Sequence, residues 1–380
     1  MLFKFNKLKA FKLLSVLPAL LIFSFLLAAC SNHQINSKSA GINDKKNSSD
    51  TKLLTEWKLP ISIPVGEFSQ VSGWLDDHQV LYITDLEQTS NVYRYNLLTG
   101  KSVLLYKSNA PIVTVKISPS KKYLLVQTSP STYQVVLTII NLKGKEILKN
   151  SFSSFDLTID WNPYDESKLL VSKFNEDWTF KMMLIDLEKK KSTDISLPQP
   201  FNKWLGKKEI AFLNWNENNS SLFAPLLVKK VGEEQQKTLF PSVYQFSAFH
   251  EVLMTITVNE KNQTRAIYSF YNQKMKPIYS FSIPQLTKFS DWMVPFYDYN
   301  ESSGQFITLK PLKSEAVDTY SDGFELVSYN LKKRSTKLIL NGLKNEPLSF
   351  SPLGDVCLYG SQLEKIIDLK TKKIYSLIKE

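Results

Sequence analysis

The sequence predicts an all-β fold, a β-propeller of four-stranded blades. Two observations carry this: an apolar, β-branched run restarts about every 44 residues, and an Asn or Asp turn follows six of the seven restarts. The runs are Gln79-Val80-Leu81-Tyr82, Lys122-Tyr123-Leu124-Leu125, Lys168-Leu169-Leu170-Val171, Glu209-Ile210-Ala211-Phe212, Glu251-Val252-Leu253-Met254, Gln305-Phe306-Ile307-Thr308 and Asp355-Val356-Cys357-Leu358. Their second residues lie 43, 46, 41, 42, 54 and 50 positions apart. Seven registers are counted, with the last two intervals stretched. A β-sandwich would not hold one internal period along the chain, and helical repeats would need a 3.6-residue periodicity that these runs lack.

The chain opens on a different kind of segment. Lys4, Lys7, Lys9 and Lys12 precede an apolar run from Leu13 to Leu27, and Leu27-Ala28-Ala29-Cys30 follows. A basic stretch, a short apolar stretch and small residues before cysteine predict a bacterial lipoprotein signal over residues 1–29. The run is short for a membrane span. Cys30 is then the lipidation site, carrying the acyl chains (palmitate or similar) that hold the protein on the outer face of a Gram-positive cell membrane. Residues 30–52 are polar and aperiodic and read as a flexible tether, whose 22 residues beyond the cysteine reach roughly 25 Å.

The propeller domain is expected over residues 53–380. Its first segment, Leu53 to Leu59, is expected to pair with a terminal blade built from Leu348–Ile378, because an open ring leaves unpaired edge groups. Within each unit the apolar run is the second strand. Before it comes a first strand, marked by Val71-Ser72-Gly73-Trp74, Ile117-Ser118-Pro119, Ile159-Asp160-Trp161-Asn162-Pro163, Asn202-Lys203-Trp204 and Ser349-Phe350-Ser351-Pro352. Between 13 and 25 residues after six of the restarts, and 17 to 19 in the first three, comes the close of the third strand, at Tyr95-Asn96, Ile140-Asn141, Ile185-Asp186, Tyr271-Asn272, Tyr329-Asn330 and Ile367-Asp368. An Asx side chain bonds its own backbone two residues on, which suits a tight reversal into a fourth strand. The fourth unit lacks this mark and runs Leu227-Val228-Lys229-Lys230.

Three stretches, Gly73–Thr84 (GWLDDHQVLYIT), Leu97–Val113 (LLTGKSVLLYKSNAPIV) and Trp161–Trp178 (WNPYDESKLLVSKFNEDW), resemble the YqgU-like family of bacillar lipoproteins. The resemblance implies a lipid-anchored propeller of unknown activity, and one of six blades rather than seven.

Charge and composition narrow the function. The formal charge of +11 falls to +7 when the four signal lysines go, a mild basic excess with no block of five basic residues. Nucleic acid is excluded as a partner. With three histidines and no C-x-x-C or H-E-x-x-H spacing, neither a metal nor another cofactor is expected. His78 and His250 read as turn residues. Cys357 lies in an apolar run and reads as a buried, unpaired thiol.

Propeller ligands usually meet the loops between second and third strands at the channel mouth. Two of those loops join acids to tryptophan, giving Glu176, Asp177, Trp178, Trp215 and Glu217 as candidate ligand contacts. The competing reading packs both tryptophans between blades. No nucleophile–base arrangement stands out, so the chain is expected to be a monomeric binding, sensing or protein-interaction module rather than an enzyme, with a protein or glycan on its loop face. The alternative is an enzyme of wall or capsule glycans whose carboxylates come from different blades.

Overall fold

Runs such as Val80–Ile83 and Leu124–Val126 are apolar at every position because both faces of a middle strand are covered in a propeller. The computed structural model, which describes residues 56–215, 221–259, 262–289 and 291–379, shows this directly: Val80, Leu81, Tyr82 and Ile83 are all fully buried. Each run is the second strand of a four-stranded antiparallel sheet of consecutive strands. Seven such sheets occur among the described residues, which we number as blades 1 (67–108), 2 (112–153), 3 (156–195), 4 (202–243), 5 (245–284), 6 (297–343) and 7 (348–376). Fourth strands, such as Lys101–Ser108, are largely exposed and form the rim.

Seven buried apolar clusters match seven joints between adjacent blades, the last of them uniting blade 7 with blade 1. The ring is therefore seven-bladed. The two long sequence intervals have local causes. An extra hairpin (Leu286–Lys288 and Asp291–Met293) precedes blade 6, and Glu315–Ala316, inside that blade's long loop 312–323, pairs with it in parallel.

The Asx turns are present as the sequence suggests. Asn96 Oδ1 accepts from the Leu98 and Thr99 amides at 3.0 and 2.9 Å, and Asn272 Oδ1 accepts from Lys274 and Lys276, both at 3.0 Å. Asp368 does the same with Lys370 and Thr371 at 2.8 Å. Cys357 is buried in the joint between blades 6 and 7, and burial pushes its thiol well above the usual range.

The expected strand pairing of segment 53–59 is corrected by the structure. Residues 53–55 lie outside the described residues, and 56–66 form no strand. Pro60 and Pro64 remove the donors a ladder would need. Instead the segment is a seam filler. Trp57 packs on Trp74 with ring centroids 6.3 Å apart, the Lys58 amide donates to Leu97 O at 2.6 Å, and the Ile61 amide donates to Leu377 O at 2.7 Å. Among the described residues no strand is shared across the closure, since each blade is one continuous stretch of chain.

Joints are also clasped by polar groups. Asp160 on the first strand of blade 3 accepts the Trp204 amide of blade 4 at 3.0 Å, and Asn162 Nδ2 donates to Lys207 O at 3.1 Å. Asp298 and Asn300 of blade 6 repeat this toward blade 7: Asp298 accepts the Phe350 amide at 2.7 Å and Asn300 Nδ2 donates to Ser351 O at 3.0 Å. Burial pushes the Asp298 carboxyl up to about 6, against two backbone amides that pull it down. An unfolded aspartate titrates near 3.9, so the native state holds this proton more tightly. The resulting stabilisation is complete below about pH 4 and disappears as pH rises through about 6, a change of roughly 2–3 kcal/mol. Urea denaturation across that window should show unfolding free energy falling with rising pH from this group, and Asp298→Asn should remove that component. An unchanged slope in the variant would place the titration elsewhere.

Candidate functional site

Along the channel, first strands run from the face of the second-to-third strand loops toward the face of the first-to-second strand turns. Residues at their starts therefore ring one mouth. At that mouth, on blades 2 to 5, lies a cavity of about 450 Å³. Its floor is Lys116, Asp160 and Lys203, one from each of three neighbouring first strands, and its polar wall includes Thr114, Gln127, Ser172, Asn202 and Gln245. Phe201 and Trp215 stand at the entrance. Phe201 is held out by the Leu197-Pro198-Gln199-Pro200 loop, pinned by Ser172 Oγ donating to Pro200 O at 2.7 Å and Asn202 Nδ2 donating to Gln199 O at 2.6 Å.

The charges on the floor are unevenly paired. Lys203 Nζ lies 2.6 Å from Asp160 Oδ1, while Lys116 Nζ donates to Ile159 O at 2.7 Å. Among the described residues no carboxylate forms an ion pair with Lys116. Desolvation by the surrounding channel wall lowers its pKa first, and the Lys203 charge adds to the fall; Asp160 opposes both. The site thus holds two ammonium groups and one carboxylate.

The residues singled out in the sequence fall in different settings. Trp215 lines the cavity. Trp178 does not; it sits outside the entrance, 62% exposed, with φ +62°, edge-on to Phe155 at 6.0 Å and Phe174 at 5.9 Å. Phe174 in turn lies 5.8 Å from Phe201, so a strip of rings leads from Trp178 toward the cavity. The packing of both tryptophans between blades is not what the structure shows. Glu176 Oε2 accepts from the Tyr133 hydroxyl of blade 2 at 3.1 Å. Asp177 closes its own turn, accepting Thr179 Oγ1 at 2.6 Å and the Thr179 amide at 3.0 Å, and these bonds hold its carboxyl below the usual range. Glu217 and Cys30 lie outside the described residues.

Phe201, Lys116 and Lys203 are cavity residues that the sequence alone does not single out. The Pro-Gln-Pro-Phe stretch was one available signal, since two prolines stiffen a loop around an otherwise unexplained aromatic. The D-W-N and D-Y-N strings at 160–162 and 298–300 were another, marking channel-facing positions.

On the opposite face, His78 shapes a turn, its amide donating to Asp76 Oδ1 at 2.8 Å. His250 stacks on Tyr164 at 4.7 Å and its amide donates to Glu301 Oε1 at 2.5 Å. Among the described residues no group of three or more His, Cys, Asp or Glu could hold a metal ion.

The chain is 26% identical over 364 residues to an uncharacterized lipoprotein, YqgU, of Bacillus subtilis (strain 168), covering 96% of each chain. Its fold matches the crystal structure of uncharacterized protein lmo1340 from Listeria monocytogenes EGD-e with a TM-score of 0.78 and 24% identity, covering 84% of this chain and 97% of that one. A more distant propeller, an oligogalacturonate lyase in complex with manganese, has a TM-score of 0.56 at 13% identity over 78% of this chain and 86% of that one, a likeness of fold alone. The YqgU-like 6-bladed beta propeller domain matches residues 96–360, a span holding blades 2 to 6 whole and parts of blades 1 and 7. The chain therefore belongs to the YqgU-like propeller family, in a form with seven four-stranded blades.

Proposed function

We propose that this protein is a monomeric binding module, lipid-anchored through Cys30 on the outer face of a Gram-positive cell membrane, whose channel-mouth cavity takes a glycan chain bearing an acidic group. The observation that carries the reading is the cavity itself: two exposed aromatic rings at its entrance, amides and hydroxyls on its wall, and on its floor an ammonium group with no ion-pair partner among the described residues. Aromatic faces stack on the apolar faces of sugar rings, and neutral polar side chains satisfy the hydroxyls around them. The Trp178–Phe174–Phe201 strip extends the same surface for a longer chain, with Glu176 and Asp177 at its edge. Binding is favoured over bond cleavage because Asp160, the carboxylate on the described lining, is already held by Lys203 and the Trp204 amide. Catalysis by two carboxylates would need a free pair.

The test is affinity for a panel of acidic and neutral oligosaccharides, with short acidic peptides alongside. Trp215→Ala should weaken binding about 30-fold, the loss typical of an aromatic anchor. Lys116→Met should weaken acidic ligands selectively and remove the salt dependence. Melting temperatures of both variants should stay near the parent's. Full affinity in both variants, or preference for peptides over sugars, would reject the reading.

A further inference from the structure

The two faces of the ring carry opposite charge. The seven turns between third and fourth strands, at 96–101, 141–146, 186–191, 230–236, 272–277, 330–335 and 368–374, contain fifteen lysine or arginine residues and six carboxylates. The described residues of the seven loops between second and third strands, at the other face, include two lysines and seven carboxylates. Solubility alone needs charge on both faces and gives no reason for this sorting. Lys189, Lys190 and Lys191 of blade 3 and Lys332, Lys333 and Arg334 of blade 6 are all exposed. In blade 4 the basic side chains are answered locally, Lys229 by Glu234 at 3.6 Å and Lys230 by Glu233 at 3.9 Å. Nearer the axis on this face the turns between first and second strands are mildly acidic, so the positive charge forms a collar around the perimeter.

The described chain also starts at this face. The Lys58 amide bonds Leu97 O, and the Lys58 side chain fills the space beside Gly100, whose φ of +72° and missing Cβ leave room for it. The described chain therefore enters the ring at the collar, opposite to the cavity.

We propose that the collar face is a second membrane contact, resting on the anionic headgroups of the leaflet that holds the lipid anchor. Each lysine near such a surface contributes roughly fivefold in affinity, and the attraction dies within about 8–10 Å at physiological salt. The expected tether of 22 residues beyond Cys30 keeps the domain within reach without fixing its rotation; the collar fixes which side faces the bilayer. The cavity then points away from the membrane. This inference does not depend on what the cavity binds.

The experiment uses the chain from Ser31, which lacks the acylated cysteine and keeps all seven buried clusters, between Trp57 and Leu377. The probe is vesicles of phosphatidylcholine with and without phosphatidylglycerol, read by co-sedimentation. Binding should require phosphatidylglycerol and fall steeply with salt. Replacing Lys189, Lys190 and Lys191 by Gln should lower it on the order of 100-fold, and Lys332→Gln, Lys333→Gln and Arg334→Gln should act alike. The same change at Lys107, Lys181 and Lys344 of the cavity face should leave it near the parent value. All variants alter exposed side chains, and a melting curve confirms each fold. No binding to anionic vesicles, or equal losses from both faces, overturns the proposal. Binding to soluble polyphosphate without binding to vesicles also overturns it, and assigns the collar to an anionic wall polymer.

Discussion

Trp74→Ala should cost about 3–5 kcal/mol of unfolding free energy and make the seam between blades 7 and 1 the place where the ring opens. The indole is 4% exposed, packs against Trp57, and donates through Nε1 to Ser349 O at 3.1 Å across the seam. Other ties there are few. The Val71 amide donates to Gln362 O at 2.9 Å, the Ile61 amide to Leu377 O at 2.7 Å, and the Leu353 amide to Asp77 Oδ1 at 2.8 Å. Without a shared strand, side-chain packing is the main force closing the circle, so a void at its centre cannot be offset by a ladder of backbone bonds. Urea denaturation gives the magnitude. Hydrogen exchange should show protection lost first in residues 56–76 and 348–376. Parental stability, or first loss elsewhere, would contradict this view of the closure.

Trp204→Ala should be as costly, about 3–5 kcal/mol, with a different outcome. This indole is 2% exposed and makes the same kind of bond three joints along, Nε1 donating to Asp160 O at 3.1 Å. Blades 3 and 4, however, are joined by the chain itself through 196–201, so opening this joint does not release an end. Unfolding should stay a single transition. The cavity should suffer as well, because Asp160 and Lys203 are positioned by the strand that Trp204 anchors. Trp204→Phe keeps most of the buried area and gives up the indole bond, a loss of about 1 kcal/mol. A phenylalanine variant as damaged as the alanine one would mean that the bond, rather than the packing, dominates.

Most of the architecture was legible in the sequence because propeller strands are specified locally. A middle strand covered on both faces must be apolar throughout, and a tight reversal is served by an Asx residue, so Val80–Ile83 and Asn96 announce themselves. The seventh register was real, and the stretched intervals came from the hairpin at 286–293 and the long loop at 312–323. The role of the seam segment is not legible locally because it depends on where two distant blades meet, although the prolines at 60 and 64 argue against a strand. Trp215 was found at the cavity and Trp178 on the strip beside it. Lys116 and Lys203 were not, since whether a first-strand side chain faces the channel depends on blade tilt, which no single repeat encodes.

Because every blade is an uninterrupted piece of chain and Ile61 meets Leu377 by a direct backbone bond, the order of blades in the polypeptide is arbitrary with respect to the fold. A circularly permuted chain, linked across the seam and cut in the loop at 109–111, outside the cavity lining, would retain all seven sheets. The position of the break, and with it the entry point of any anchor, can move around the ring while the cavity stays where it is. Lineages built on this plan are free to change how the domain is hung without rebuilding what it holds.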